Sequence, residues 1–202
     1  MKTYFLCIIC GVLCFSCSSD DDAVVIVPDF TVSQITDERD GNTYATVKIG
    51  TQVWFAENLN YELPNGQSRC YEDLASNCFT NGRLYRADDA ATACPDGWHL
   101  PRDAEWQELI DYLGGNSTAL ALFEVDAELQ GQKVNFNLLP SGRYWSSQVG
   151  YEFMNTIGFY WTSSPGISQF TTFKYKEFNP GSTLSTLQEN PSRGMSCRCV
   201  KD

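Results

Sequence analysis

The groups that could do chemistry in this chain are few: one histidine, His99, and nine cysteines. A Ser-His-Asp hydrolase would use His99 as its base, with Ser163 or Ser164 as nucleophile. The neighbours Trp98, Leu100 and Pro101 favour a structural role instead, a half-buried imidazole bonding backbone at a turn. One histidine and no free CxxC pair cannot supply a tetrahedral zinc set. Cys7, Cys10, Cys14 and Cys17 belong to an apolar leader, which leaves Cys70, Cys78, Cys94, Cys197 and Cys199. Five is odd, so two bridges leave a spare thiol. Cys197 and Cys199 are two apart and would share a face if residues 195–200 form a strand, so both remain open as partners for Cys94. Cys197-Arg198-Cys199 also invites a redox reading, because Arg198 would lower the pKa of a neighbouring thiol. Tyr144-Trp145-Ser146-Ser147 and Tyr160-Trp161-Thr162-Ser163-Ser164 set aromatic faces beside hydroxyls, the chemistry that grips sugar rings or flat peptide surfaces. Trp145, in a Gly/Ser-rich loop, is the surface candidate of the two tryptophans.

These groups are organised around the run Cys94-Pro95-Asp96-Gly97-Trp98-His99-Leu100-Pro101-Arg102-Asp103. Pro95, Gly97 and Pro101 forbid regular structure up to residue 101. Trp106, Leu109, Ile110 and Leu113 then repeat at i, i+3, i+4 and i+7, predicting an amphipathic helix over 103–113 that stops at Gly114-Gly115. Residues 85–93 are Ala-rich and read as a short helix, and 117–123 as a third. Residues 44–49 and 52–55 form a predicted hairpin about Gly50-Thr51. Residues 136–139, 158–162, 170–175 and 195–200 read as strands. Helices in the middle with strands at both ends predict an α+β domain.

The 202 residues allow one sizeable domain. A formal charge of −11, with no Lys/Arg cluster to displace counterions, argues against nucleic acid. Lys2 and the apolar run Tyr4 to Phe15 read as a signal peptide, too short to span a bilayer. Phe15-Ser16-Cys17 resembles a bacterial lipobox, although Cys14 stands where Leu or Val is usual. Residues 1–16 are then removed, Cys17 carries the lipid, and 17–30 form an acidic tether to a domain at 31–202. Ser18-Ser19-Asp20-Asp21-Asp22 resembles the export signal of Bacteroidetes surface lipoproteins.

The domain itself resembles a known family. The central run is similar to the "CPxGWHLPSxxEW" signature of the Fibrobacter succinogenes major paralogous domain. Asp40-Gly41-Asn42-Thr43-Tyr44, residues 47–54, Ala56-Glu57-Asn58-Leu59, Gly82-Arg83-Leu84-Tyr85, Leu139-Pro140-Ser141-Gly142-Arg143, the Trp161 run and Arg198-Cys199-Val200-Lys201 match its remaining motifs in order, from about Val32 onward. Arg102 replaces the serine that would cap the helix, at a cost of about 1 kcal/mol, while Glu105 keeps the other half of the capping box. The resemblance pairs Cys70 with Cys78 and Cys94 with Cys199, leaves Cys197 free, and makes Trp161 a core residue. The plan is also similar to the C-type lectin-like fold. Calcium-dependent sugar binding of that kind is not supported, because Glu189-Asn190-Pro191 has the wrong order and Trp161 is followed by Thr162-Ser163. The family has no established activity. The expectation is a lipid-anchored outer-membrane protein, exposed at the cell surface, whose non-enzymatic domain binds a glycan or an extracellular protein and needs no cofactor. A structural subunit of an envelope or fimbria-like assembly is the alternative, and an enzyme using Cys197 or His99 the third reading.

Overall fold

The computed structural model describes residues 30–64, 66–167 and 172–202. The expected signal segment, Cys17 and the tether up to residue 29 lie outside the described residues, as do Phe170 and Thr171.

The chain opens with an antiparallel meander of β1 (Val32–Thr36), β2 (Thr43–Ile49) and β3 (Gln52–Phe55). Side chains alternate across a strand, and here both faces are covered. Val47 and Ile49 of β2 and Trp54 of β3 enter one core cluster, while Tyr44 and Phe55 enter a second. The β2–β3 turn needs Gly50, whose φ of +62° is left-handed and whose missing Cβ would lie 2.9 Å from the Tyr112 ring.

A middle section of short pieces follows: β4 (Ser68–Arg69), a 3-10 turn (Tyr71–Asp73), α1 (Ala75–Asn81), β5 (Leu84–Tyr85), α2 (Ala87–Ala90) and β6 (Trp98–His99). Then come α3 (Asp103–Tyr112) and α4 (Asn116–Leu122). The apolar stripe of α3 is buried as its periodicity requires, with the Trp106 ring 4.9 Å from Trp54 and 5.9 Å from Phe136. The helix expected at 85–93 shortens to α2, and α1 was not foreseen.

The second half is mainly sheet: a small ribbon of β7 (Glu128–Leu129) and β8 (Gln132–Lys133), then β9 (Ser141–Ser146), β10 (Gly150–Met154), β11 (Gly158–Pro165), β12 (Phe173–Asn179) and β13 (Thr183–Glu189). The chain closes through β14 (Met195–Ser196) and β15 (Val200–Lys201). β1-β2-β3-β15-β6 form one sheet, and β10-β9-β11-β14-β5-β4 the spine of another, to which β12 and β13 are added through β11. The domain is therefore mixed α+β, mostly sheet.

Two expected strands are corrected. Residues 136–139 form no ladder, because Asn135 and Asn137 have φ of +56° and +49°; Phe136 and Leu138 are still buried. Residues 195–200 are not one strand but two short ones in different sheets, with Cys197-Arg198-Cys199 crossing between them. At that crossing the buried Arg198 guanidinium donates to Phe55 O (3.1 Å), Phe136 O (2.7 Å), Asn58 Oδ1 (2.8 Å) and Asn137 O (3.0 Å). Asn58 in turn donates to Asn81 O (2.9 Å) and Ser141 Oγ (3.0 Å).

Arg198 should therefore resist conservative replacement. Arg198→Met strands three carbonyls and one amide oxygen in the interior and should cost about 3–5 kcal/mol in chemical denaturation. Arg198→Lys, a point donor without the planar fork, should recover less than half of that loss.

Candidate functional site

His99 is a clasp for the C-terminus. Its Nδ1 lies 2.7 Å from Asp202 Oδ1 and its Nε2 3.0 Å from Glu105 Oε1, so its partners are carboxylates and not the backbone groups expected. Neither ring nitrogen is turned to Ser163 or Ser164. Ser164 is instead committed to α3: its Oγ accepts from Asp103 N–H at 2.9 Å. That bond supplies, from β11, the hydroxyl that Arg102 lacks as a local cap. Glu105 completes the arrangement by accepting from Arg102 N–H (2.8 Å) and from its guanidinium (2.7 Å).

Asp103 anchors a further charge cluster. Lys176 Nζ lies 2.8 Å from its Oδ1 and Lys174 Nζ 2.8 Å from its Oδ2, although the Lys176 side chain is only 1% exposed. Burial alone would raise the Asp103 pKa, but the two ammonium groups outweigh it and hold the carboxyl below its usual range. Glu105 is lowered in the same way, its burial outweighed by Arg102 and His99.

The cysteines separate into two bridges and a core thiol. Cys70 is bonded to Cys78, and Cys94 to Cys199 across a sequence separation of 105. Closing a loop of that length stabilises by about 4–5 kcal/mol through chain entropy. Cys197 is free and fully buried, its Sγ 3.8 Å from Cys94 Sγ. Burial pushes its thiol up to about 12, overriding the pull of Arg198 that suggested a reactive group.

The aromatic candidates are occupied by the protein itself. Trp161 is fully buried and its indole donates to Tyr85 O at 2.8 Å. Trp145 lies in β9 rather than in a loop, half-buried, with the guanidinium groups of Arg193 and Arg143 at 3.8 and 4.3 Å from its ring. Arg69 lies 4.1 Å from the Tyr144 ring. Ligand stacking at either ring would have to displace an arginine.

A different aromatic is available. Phe79, on α1, is 92% exposed. It stands at the rim of a cleft of about 440 Å³ whose wall includes Asn42, Tyr44, Glu57, Asn60, Thr80 and Asn137. A second recess of about 370 Å³ shares Asn42, Asn60, Cys78 and Phe79 and adds Asp40, Glu62 and Arg83. The rim is held rigidly: Cys78 is tied to Cys70, and Gly82 ends α1 at φ +72°, where a Cβ would lie 2.7 Å from Asn58 Cβ. Asn60 Oδ1 is buried and has no hydrogen-bond partner among the described residues. Its N–H donates to Tyr44 OH (3.1 Å), a phenol that burial pushes up to about 12 and so keeps neutral. The sequence offered only weak signals for this site, namely a short Cys-to-Cys loop carrying a phenylalanine and asparagines scattered over nearly a hundred positions.

Two outcomes follow from the buried groups. The native protein should leave Cys197 unmodified by a thiol reagent at neutral pH, with a single thiol becoming reactive in denaturant without reductant. Because the Asp103 and Glu105 carboxyls are lowered in the fold, their contribution is fully present above the unfolded-state value of about 4 and is lost as pH falls through the folded values. Asp103→Asn should destabilise by about 2–3 kcal/mol at neutral pH, leaving Lys176 buried without its counter-ion, and should make the acid loss shallower in pH-dependent denaturation.

No curated protein and no solved structure matches the chain. The match to a family covers residues 47–201, so Asp40 to Tyr44 of the opening motif fall outside it. It spans well over half of the chain, including the central run, α3 and both closing strands, and the protein belongs to the Fibrobacter succinogenes major domain family.

Proposed function

We propose that the protein is a lipid-anchored lipoprotein of the Bacteroidetes type, displayed at the surface of the outer membrane, whose domain is a non-enzymatic binding module with a C-type lectin-like plan. The observation that carries the binding reading is Phe79, almost wholly exposed on a disulfide-pinned helix between two recesses of mixed polar and apolar lining. A single exposed aromatic is ordinary, but one on a backbone tied down beside a concave wall has less backbone entropy to lose on binding. The bridge from Cys94, ahead of α3, to Cys199 by the closing strand, with α3 and α4 between, supports the lectin-like plan. Two observations weigh against the chemical alternatives. The ring nitrogens of His99 are engaged by carboxylates, and Cys197 is a buried thiol rather than a thiolate. Display rests on the leader, on Cys17 and on the acidic residues 20–22, with acyl burial contributing about 0.8 kcal/mol per CH₂.

Cys17→Ala should release the protein from membranes, and protease added to whole cells should remove the anchored form. On an array of glycans and matrix proteins, Phe79→Ala should weaken retention about tenfold, corresponding to about 1.4 kcal/mol, whereas Trp145→Ala should change it little. Retention of both variants at wild-type level would remove the cleft from consideration. Recovery of the protein only within large membrane complexes, with no array signal, would favour a structural subunit.

A further inference from the structure

We infer that the two recesses flanking Phe79 bind a neutral, hydroxyl-rich saccharide without a metal ion, an assignment that rests on the binding reading above and names its ligand class. The wall mixes apolar groups, Ala56 and Leu139 among them, with polar ones of a particular kind. Side-chain amides and hydroxyls each donate and accept, which matches sugar hydroxyls that do the same. Asn60 lines both recesses, and its buried Oδ1 is an acceptor without a donor among the described residues. An unmade hydrogen bond of this kind is costly, and a ligand hydroxyl reaching it would relieve that cost. Phe79 provides an exposed ring against which the C–H face of a pyranose can lie.

Charge disfavours the acidic sugars. Asp40, Glu57 and Glu62 surround the recesses, and the cation there, Arg83, is paired through Nη2 with Glu62 at 2.5 Å, its Nε being buried without an acceptor among the described residues. A carboxylated or sulfated chain would meet net negative charge, on a protein whose formal charge is already −11. Peptide capture is disfavoured by topology. The wall strand β2 is paired on both sides, by β1 and β3, so it has no edge open for strand addition. The recesses, at about 440 and 370 Å³, each fall within the usual range for small-ligand sites, and because they adjoin at Asn42, Asn60, Cys78 and Phe79 they suit a chain of at least two rings.

The test is saturation-transfer NMR and calorimetry on the full lipidated protein in detergent with EDTA present. The probes are neutral oligosaccharides (gluco-, galacto- and manno-configured) and, separately, an oligogalacturonate; a matrix-protein panel runs in parallel. Expected are transfer to ring C–H protons of at least one neutral oligosaccharide in EDTA, affinity reduced tenfold or more in Phe79→Ala and several-fold in Asn60→Ala, and unchanged affinity in Trp145→Ala. Binding only of the acidic chain, binding abolished by EDTA, or neutral binding indifferent to Phe79 would overturn the assignment. Phe79-dependent capture of a matrix protein with no saccharide signal would overturn it too, while leaving the binding reading standing. No Phe79-dependent binding in any arm would overturn both.

Discussion

A guanidinium with no carboxylate partner lies at the centre of this fold. Arg198 is fully buried, and the oxygens around it belong to three backbone carbonyls and one side-chain amide. Removing a cation from water is tolerable only where such acceptors converge with good geometry, and they converge here only when three distant segments are in place at once. Residues 55–58, 136–137 and the closing strands are thus fixed relative to one another by a single side chain. Asn58 extends the constraint to α1 and β9 through Asn81 and Ser141. The cleft inherits its rigidity from this network, since Asn58 and Asn137 belong to its wall.

The same economy operates around α3. Arg102 offers the helix no capping hydroxyl, and a serine from β11 satisfies Asp103 N–H in its place while Glu105 accepts from Arg102 N–H. Asp103, freed from capping, neutralises Lys174 and the buried Lys176 of β12. His99 ties the first turn of the helix to the last residue. Polar groups that would be liabilities singly become cross-links between the helix and both sheets.

Most chemically suggestive residues thus serve the structure. Trp161 and Cys197 fill the core, Trp145 is covered by arginines, and His99 is a tether. Phe79, by contrast, is exposed on the segment that the Cys70–Cys78 bridge ties down, and beside it Asn60 keeps a buried acceptor without a partner among the described residues. A backbone tied down beside a concave wall supports the binding reading proposed for this site.

Local pattern was legible wherever the determinant is local. The period-two alternation and the Gly50 turn placed the β2–β3 hairpin, and the Trp106, Leu109, Ile110 and Leu113 spacing placed α3 within a residue of its end, because both depend on which neighbours in sequence share a face. The α+β class followed from the order of such segments. Long-range partners decided the rest. Residues 136–139 have a strand's alternation, yet Asn135 and Asn137 turn the backbone so that its carbonyls meet Arg198. Arginines on β9 and beyond β13 cover Trp145, and α1, a weak helix by composition, persists beside its disulfide with Phe79 outward. The sequence by itself determined which stretches alternate, which helix is amphipathic and how many thiols were available. Only the tertiary structure decided which aromatics are exposed and which polar atoms are unsatisfied, since exposure and hydrogen-bond satisfaction are set by residues far apart in the chain.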